Sequence, residues 1–211
     1  MQTKDIIADV SISNLVISVN FNKKIDINKV LENLEDVEYE PSTFPGLIVR
    51  LGEITCLLFS SGRAVVPGLG RFYNQYIKEK KPSNKLDEKI IYEIVKEKVV
   101  KKLKEKGIDV PDEFEIEIDN IVIKADLVVD HIDLNKIYQM KDKLISEFKL
   151  DRIVYEPERF PGMRIGLGPD VGVTCLLFRS GKVVIAGSKD LKTVNKALEK
   201  LGKVLKRAGV L

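Results

Sequence analysis

Tyr39-Glu40-Pro41-Ser42-Thr43-Phe44-Pro45-Gly46 returns 116 residues later as Tyr155-Glu156-Pro157-Glu158-Arg159-Phe160-Pro161-Gly162. Each copy is followed by a second matching run, Thr55-Cys56-Leu57-Leu58-Phe59-Ser60-Ser61-Gly62 and Thr174-Cys175-Leu176-Leu177-Phe178-Arg179-Ser180-Gly181. Two motifs in the same order in both halves mean an internal duplication, which composition alone does not produce. Each half therefore carries two phenylalanines at equivalent places, Phe44 with Phe59 and Phe160 with Phe178.

Outward from the motifs, the chain reads as strands and helices in the same order twice. Val10 to Asn20 is a β-branched run with strand character, followed by a short helix opening near Ile27 with Asp26 as its N-cap. Gly46 to Gly52, Ile54 to Ser60 and Arg63 to Val66 read as three strands joined by tight turns. Leu69 to Pro82 is less regular, with Phe72, Tyr73 and Tyr76 among lysines. A helical stripe then runs from Leu86 to Lys106 and stops at Gly107. The second half gives a strand from Glu115 to Leu127, a helix from Leu134 to Phe148, strands from Met163 to Ile185 and a helix from Leu191 to Arg207. It is longer by about ten residues around its first helix and by three in the hairpin holding Gly166, Gly168, Pro169 and Gly172. The expected division is a tail over 1–9, a first repeat over 10–107 with an insertion at about 71–84, and a second repeat over 108–211.

Four helices and about ten strands with antiparallel connections give an α+β fold in which the helices cover one sheet face only. Strand alternation sets Leu15, Leu58, Leu177 and Ile185 on one face and Val16, Leu57, Phe59, Val65, Val122, Leu176, Phe178 and Val184 on the other. The second set is a long apolar surface. Either it binds a ligand, or a second layer or a second copy of the chain hides it.

Composition sets limits without choosing between these. Among 211 residues, 44% are hydrophobic and 32% charged, and the net charge is +3, mildly basic and compatible with an acidic partner. The N-terminus has no apolar leader core and no later run has the length of a membrane span, so the chain is expected to stay in the compartment where it is made. Cys56 and Cys175 are equivalent core positions in the two repeats, not a metal pair, and a single His completes no zinc site of the usual kind. No nucleophile, base and orienting group can be assembled from these residues. The glycine-rich run from Gly166 to Gly172 lacks the helix and lysine of a phosphate cradle, so no enzyme, cofactor or metal is expected.

The paired Tyr-Glu-Pro-x-x-Phe-Pro-Gly and Leu-Leu-Phe-x-Ser-Gly runs, each preceded by Asn-x-Val (Asn14-Leu15-Val16 and Asn120-Ile121-Val122), resemble the TATA-box-binding protein family. The resemblance implies a saddle: two quasi-symmetric repeats forming one curved antiparallel sheet, with helices on the convex face and the concave face in the DNA minor groove. That family is itself the standing example of apolar wedges kinking DNA, so the wedge mechanism is carried over from it, not deduced. Phe44 with Phe59 and Phe160 with Phe178 would be the wedge pairs. Asn14 and Asn120 would donate to groove acceptors, flanked by Val16, Leu57, Val65, Val122, Leu176 and Val184, which disfavour the guanine amino group. Arg50, Arg63, Arg164 and Lys182 would meet phosphates. Glu156 and Glu158 would engage transcription factor B, a pair complete only in the second repeat because the first has Ser42 opposite Glu158.

Implied with this are an A·T-rich promoter, RNA polymerase machinery as further partners, and a homodimer when DNA is absent. The implied place is the cytoplasm and nucleoid in an archaeon or the nucleus in a eukaryote. Four positions depart from the family pattern. Pro67 and Ala186 stand where threonines are usual, Lys124 replaces a small residue, and Gly166 occupies an expected arginine position, with Arg164 two residues earlier on the same strand face. The loss of threonine at both sites and the Pro67 substitution support a second reading, a divergent paralogue that keeps the saddle as a protein-interaction module.

Overall fold

The computed structural model describes residues 7–80 and 88–211; the segments 1–6 and 81–87, which hold most of the expected tail, the end of the expected insertion and the expected helix start at Leu86, lie outside them. The chain divides into two compact units, Asn14–Asp119 and Asn120–Leu211 taken with the residues before Asn14. The cuts between these units fall inside the two longest strands, β1 (Ile7–Asn20) and β6 (Glu115–Leu127). Each of these strands is long enough to supply residues to both units.

In the Asn14–Asp119 unit, β1 is joined by β2 (Val37–Glu38), β3 (Leu47–Leu51), β4 (Ile54–Leu58) and β5 (Arg63–Val66) in the order β2-β3-β4-β5-β1. All these pairings are antiparallel, with Ile17 opposite Val66 and Leu57 opposite Val65. The other unit repeats the pattern with β7 (Arg152–Val154), β8 (Met163–Gly166), β9 (Thr174–Leu177) and β10 (Lys182–Ser188), in the order β6-β10-β9-β8-β7. Its partners are equivalent, with Leu176 opposite Val184. This is the antiparallel α+β architecture expected from the alternation of the strands.

One face of each sheet is a core. Leu15, Ile17, Leu47, Val49, Leu58 and Val66 are all fully buried in the first unit, as is a helical stripe of Ile91, Val95, Val99 and Leu103 whose π-helical turn packs on β4. In the second, Ile121, Ile123, Met163, Ile165, Leu177 and Ile185 meet Val194, Ala197, Leu201 and Val204. Each large aliphatic side chain buried this way contributes about 1.5–3 kcal/mol, and that burial holds the helices to the sheet. Cys56 and Cys175 belong to these cores, and burial pushes both thiols up to about 12.

The helices follow their caps. Asp26 accepts from the N–H groups of Asn28 and Lys29 at the start of α1 (Ile27–Asn33). The helical stripe of the first repeat is α3 (Glu88–Val95), a π-helical turn Lys96–Val100, and α4 (Lys101–Glu105) in succession, ended by Gly107 at φ +77°. In the second repeat the expected helix over 134–148 is two, α5 (Leu134–Gln139) and α6 (Lys141–Phe148), broken at Met140, where ψ is 7°. α6 accounts for most of the extra length in that half.

Helix α2 (Gly70–Lys80) corrects the expectation of an irregular segment after Leu69. Leu69 and Tyr73 are buried one helical turn apart, Arg71 Nη2 donates to the Glu53 carbonyl at 2.6 Å, and the Tyr76 hydroxyl bonds Glu93 of α3 at 2.6 Å. Tertiary anchoring orders the lysine-rich sequence, and with the break at Met140 the described residues carry six helical runs instead of four.

Helix α7 (Leu191–Arg207) starts at Asp190, whose carboxylate accepts from Thr193 N at 2.7 Å and from the Thr193 hydroxyl at 2.9 Å. The Thr193 N–H bond holds the carboxyl below its ordinary value. Because the folded value is depressed, the cap's contribution is complete above the unfolded carboxyl value of about 3.9 and is lost as pH falls through the folded one. Asp190→Ala is therefore expected to cost about 1 kcal/mol at neutral pH. In denaturant titrations, the gap between variant and parent should narrow below about pH 4.

Candidate nucleic-acid interface

The second face of each sheet carries no helical layer among the described residues. Val16, Leu57, Val65, Val122, Leu176 and Val184 are neither fully buried nor fully exposed, while their strand neighbours Leu15, Leu58, Ala64, Ile121, Leu177 and Val183 are buried. Of the readings left open by the sequence, an internal second layer is thus excluded for the described residues. Ile48, Thr55 and Thr174 lie on this open face too, two residues from Arg50, Leu57 and Leu176; the i, i+2 rule marks them.

The repeated motifs build the same local structure twice. In the first copy the Glu40 carbonyl accepts from Thr43 N and Phe44 N at 3.0 and 2.9 Å; in the second Glu156 accepts from Arg159 N and Phe160 N, both at 2.9 Å. These turns throw Phe44 and Phe160 back toward the sheet. Phe59 and Phe178 follow β4 and β9 directly and are fixed by hairpin bonds to the Arg63 and Lys182 carbonyls, each 2.9 Å. The four rings meet in two edge-to-face pairs. Phe44 and Phe59 have centroids 5.7 Å apart at 67°, and Phe160 and Phe178 are 5.8 Å apart at 66°.

Beneath each pair lies a glycine that sequence reading passed over as part of a turn. A Cβ on Gly46 would stand 2.7 Å from Phe59 Cε1 and 2.8 Å from Phe44 Cε1. On Gly162 it would stand 2.7 Å from Phe160 Cε1 and 2.9 Å from Phe178 Cε1. Both rings of a pair rest on one bare Cα, an arrangement no other residue type permits.

The two asparagines are oriented by the backbone. Asn14 Oδ1 accepts from Gly68 N at 3.2 Å and from Leu15 N at 2.9 Å, and Asn120 Oδ1 accepts from Gly187 N at 3.2 Å. Gly68 and Gly187 have φ of +77° and +96°, the left-handed region in which glycine is favoured. With the oxygen occupied, the Nδ2 donors of both amides have no partner among the described residues.

Cations line the open face unequally. Arg63 and Lys182 are exposed and make no ion pair among the described residues. Arg164 is exposed, with its guanidinium carbon 5.7 Å from the Phe160 centroid. Arg50 is held by its neighbours, Nη2 to Glu38 at 2.7 Å and Nη1 to Asp36 at 3.2 Å, and the bond to Glu38 followed by that to Asp36 raises its pKa. Its charge is locally offset, which the sequence did not indicate. Lys124 is exposed, cross-strand from Val184.

Glu156 and Glu158 lie exposed on the second turn, Glu156 with Arg159 at 3.6 Å. In the first copy Glu40 takes the Ser42 hydroxyl instead. Pro67 ends β5 at Val66, whereas β10 runs on through Ala186, paired with Thr174. The missing amide N–H of proline shortens that ladder. The glycine-rich hairpin offers no anion cradle. Gly168 N donates to Asp151 at 3.1 Å, Val171 and Gly172 donate to the Gly168 carbonyl, and Lys200 is taken by Asp170 at 2.6 Å. That hydrogen bond from Lys200 holds the Asp170 carboxyl below its ordinary value.

Comparison with known proteins agrees with this geometry. Residues 9–71 and 115–208 match the family model described as transcription factor TFIID, or TATA-binding protein, which leaves out the segment from Phe72 to Phe114 that contains most of α2. The TATA-box-binding protein of Archaeoglobus fulgidus is 35% identical over 204 residues, 96% of this chain and 97% of that protein. That of Methanocaldococcus jannaschii is 36% identical over 195 residues, 92% of this chain and 91% of the relative. The solved structure of Methanococcus jannaschii TBP superposes with a TM-score of 0.68 at 34% identity, covering 95% of this chain and 99% of that one. With the family model matched over most of the chain and relatives more than 30% identical over nearly its whole length, the chain belongs to the TATA-binding protein family.

Proposed function

We propose that this protein binds A·T-rich promoter DNA in the minor groove, bends it, and nucleates transcription initiation by recruiting transcription factor B. The observation that carries the reading is the repeated open face: two ring pairs of matching geometry, each on a glycine, beside an apolar sheet surface with an outward amide donor. A minor groove of A·T pairs offers only acceptors, N3 of adenine and O2 of thymine, which suit the free Nδ2 groups of Asn14 and Asn120. Val16, Leu57, Val65, Val122, Leu176 and Val184 give the groove floor an apolar surface, and none of these six side chains can accept from a guanine 2-amino group. Phe44, Phe59, Phe160 and Phe178 replace lost base stacking where the groove opens. Arg63, Arg164 and Lys182 reach phosphates, and Arg50 does so by leaving Glu38 and Asp36.

The paralogue reading rests on Pro67 and Ala186, but Thr55 and Thr174 supply hydroxyls on the same face. The free Nδ2 donors of Asn14 and Asn120 likewise favour DNA. Gel-shift titrations with TATA and G·C-rich duplexes at two salt concentrations separate the readings: a salt slope with no sequence preference would sink specific binding.

Glu156 and Glu158 are proposed to dock transcription factor B through its cations. Glu156→Ala with Glu158→Ala should leave the affinity for TATA DNA within about twofold and weaken the supershift with transcription factor B by about tenfold, as for the loss of two charge-assisted contacts. An unchanged supershift would remove these residues from the partner surface.

A further inference from the structure

On the open face of the Asn14–Asp119 unit, Glu38 is paired with Arg50, but a second carboxylate, Asp119, has no cation beside it among the described residues. Val16, Leu57 and Val65 are apolar and Asn14 is a neutral amide, whereas Asp119 brings a carboxylate. Ser18 shares the alternation of Val16, and its hydroxyl donates to Asp119 Oδ2 at 2.7 Å, so the carboxylate is held at the open face and not in the core. Asp119 is partly exposed, and no cation pairs with it among the described residues.

An ionised carboxylate only accepts hydrogen bonds, and the Ser18 hydroxyl uses one of roughly four lone-pair sites. Against A·T pairs it would face adenine N3 and thymine O2, both acceptors, and would repel them. The minor groove has one base-edge donor, the 2-amino group of guanine. We infer that Asp119 is a specificity-determining contact that accepts from a guanine 2-amino group, so that the DNA element preferred by this protein contains a G·C pair at one inner position. The strand order places that position. The wedge rings Phe44 and Phe59 flank β3 and β4, while Asp119 meets β1 at the other edge of the order β2-β3-β4-β5-β1, away from the wedge step of its own unit. The inference rests on the minor-groove reading above.

The test compares duplexes that differ only in the amino group. Dissociation constants are measured by fluorescence anisotropy at one fixed salt concentration. The duplexes are an all-A·T box, a set with one G·C pair stepped through each position, and a matching set with inosine·C pairs, which lack the 2-amino group. At one position the G·C duplex is expected to bind about tenfold tighter than its inosine counterpart, the gain from one charge-assisted hydrogen bond. Asp119→Ala should bring that ratio to one or below, and Asp119→Asn, which keeps a neutral acceptor oxygen, should lower it. The asparagine variant can still accept from Ser18, so it keeps the local packing while removing the charge, and circular dichroism checks that the alanine variant is folded.

Guanine binding no better than inosine at every position, or a preference that survives undiminished in a folded Asp119→Ala variant, would overturn the inference. In that case, retained Phe-dependent binding of the all-A·T box leaves the promoter reading standing. Equal binding of all duplexes without sequence preference overturns both.

Discussion

Replacing Phe44 and Phe160 together by Ala is expected to weaken binding of a TATA duplex by at least about 100-fold and to abolish the bend. Stacking of one base on an aromatic side chain contributes about 1–3 kcal/mol by truncation, and two rings are removed. Without them an opened base step loses the surface that replaces its stacking, so the bent duplex loses its stabilisation while the straight one is unaffected. Fold stability should change far less. Both rings are half-exposed, and each edge-to-face partnership with Phe59 or Phe178 contributes only about 0.5–1.5 kcal/mol. Anisotropy titration gives the affinity, donor–acceptor transfer across the duplex gives the bend, and circular dichroism confirms the fold. Unchanged affinity and bend in a folded double variant would sink the wedge mechanism.

The second large effect is expected from glycines that touch no DNA. Gly46→Ala with Gly162→Ala should lower TATA affinity about tenfold while leaving the melting temperature within a few degrees. A carbon–carbon contact is comfortable at about 3.5–4.0 Å, and the added methyl groups would stand 2.7–2.9 Å from ring carbons. The atoms in conflict are ring edges at the ends of side chains, so the clash is relieved by moving the rings, not the backbone. Neither glycine has a positive φ, so alanine meets no backbone strain there. Ring displacement of half an ångström or more at both ends of the motif degrades the insertion geometry without emptying the core. Affinity equal to the parent would show that the rings need no shelf. A large fall in melting temperature would show that the glycines serve folding instead.

Much of this molecule is legible from the chain. The strands over Glu115–Leu127 and Arg63–Val66 and the helix Leu191–Arg207 fall where alternation and the 3.6-residue period set them, and Asp26 caps α1 as its sequence context requires. Helix α2 was missed because Phe72, Tyr73, Tyr76 and Ile77 sit among polar residues with low mean hydropathy; what orders it is the Arg71 contact to Glu53 and the Tyr76 bond to Glu93, both remote in sequence. The pairing of Arg50 with Asp36 and Glu38 depends on the β2–β3 register, and the placement of Asp119 depends on Ser18, 101 residues away. No local pattern encodes such pairings.

By itself the sequence determined that the protein is a duplication, that its strands have two apolar faces, and that four phenylalanines and two asparagines occupy equivalent positions in the halves. Period two assigns residues to faces but is silent on what covers a face. That was decided by the tertiary structure, in which the helical stripes spend their apolar surface on one side of each sheet and leave the other half-exposed. Ring geometry belongs to the same level. Tyr-Glu-Pro-x-x-Phe-Pro-Gly names the rings, but only the approach of β4 to the Gly46 backbone, and of β9 to that of Gly162, turns them into edge-to-face pairs, because that contact requires a hydrogen where any other residue has a carbon.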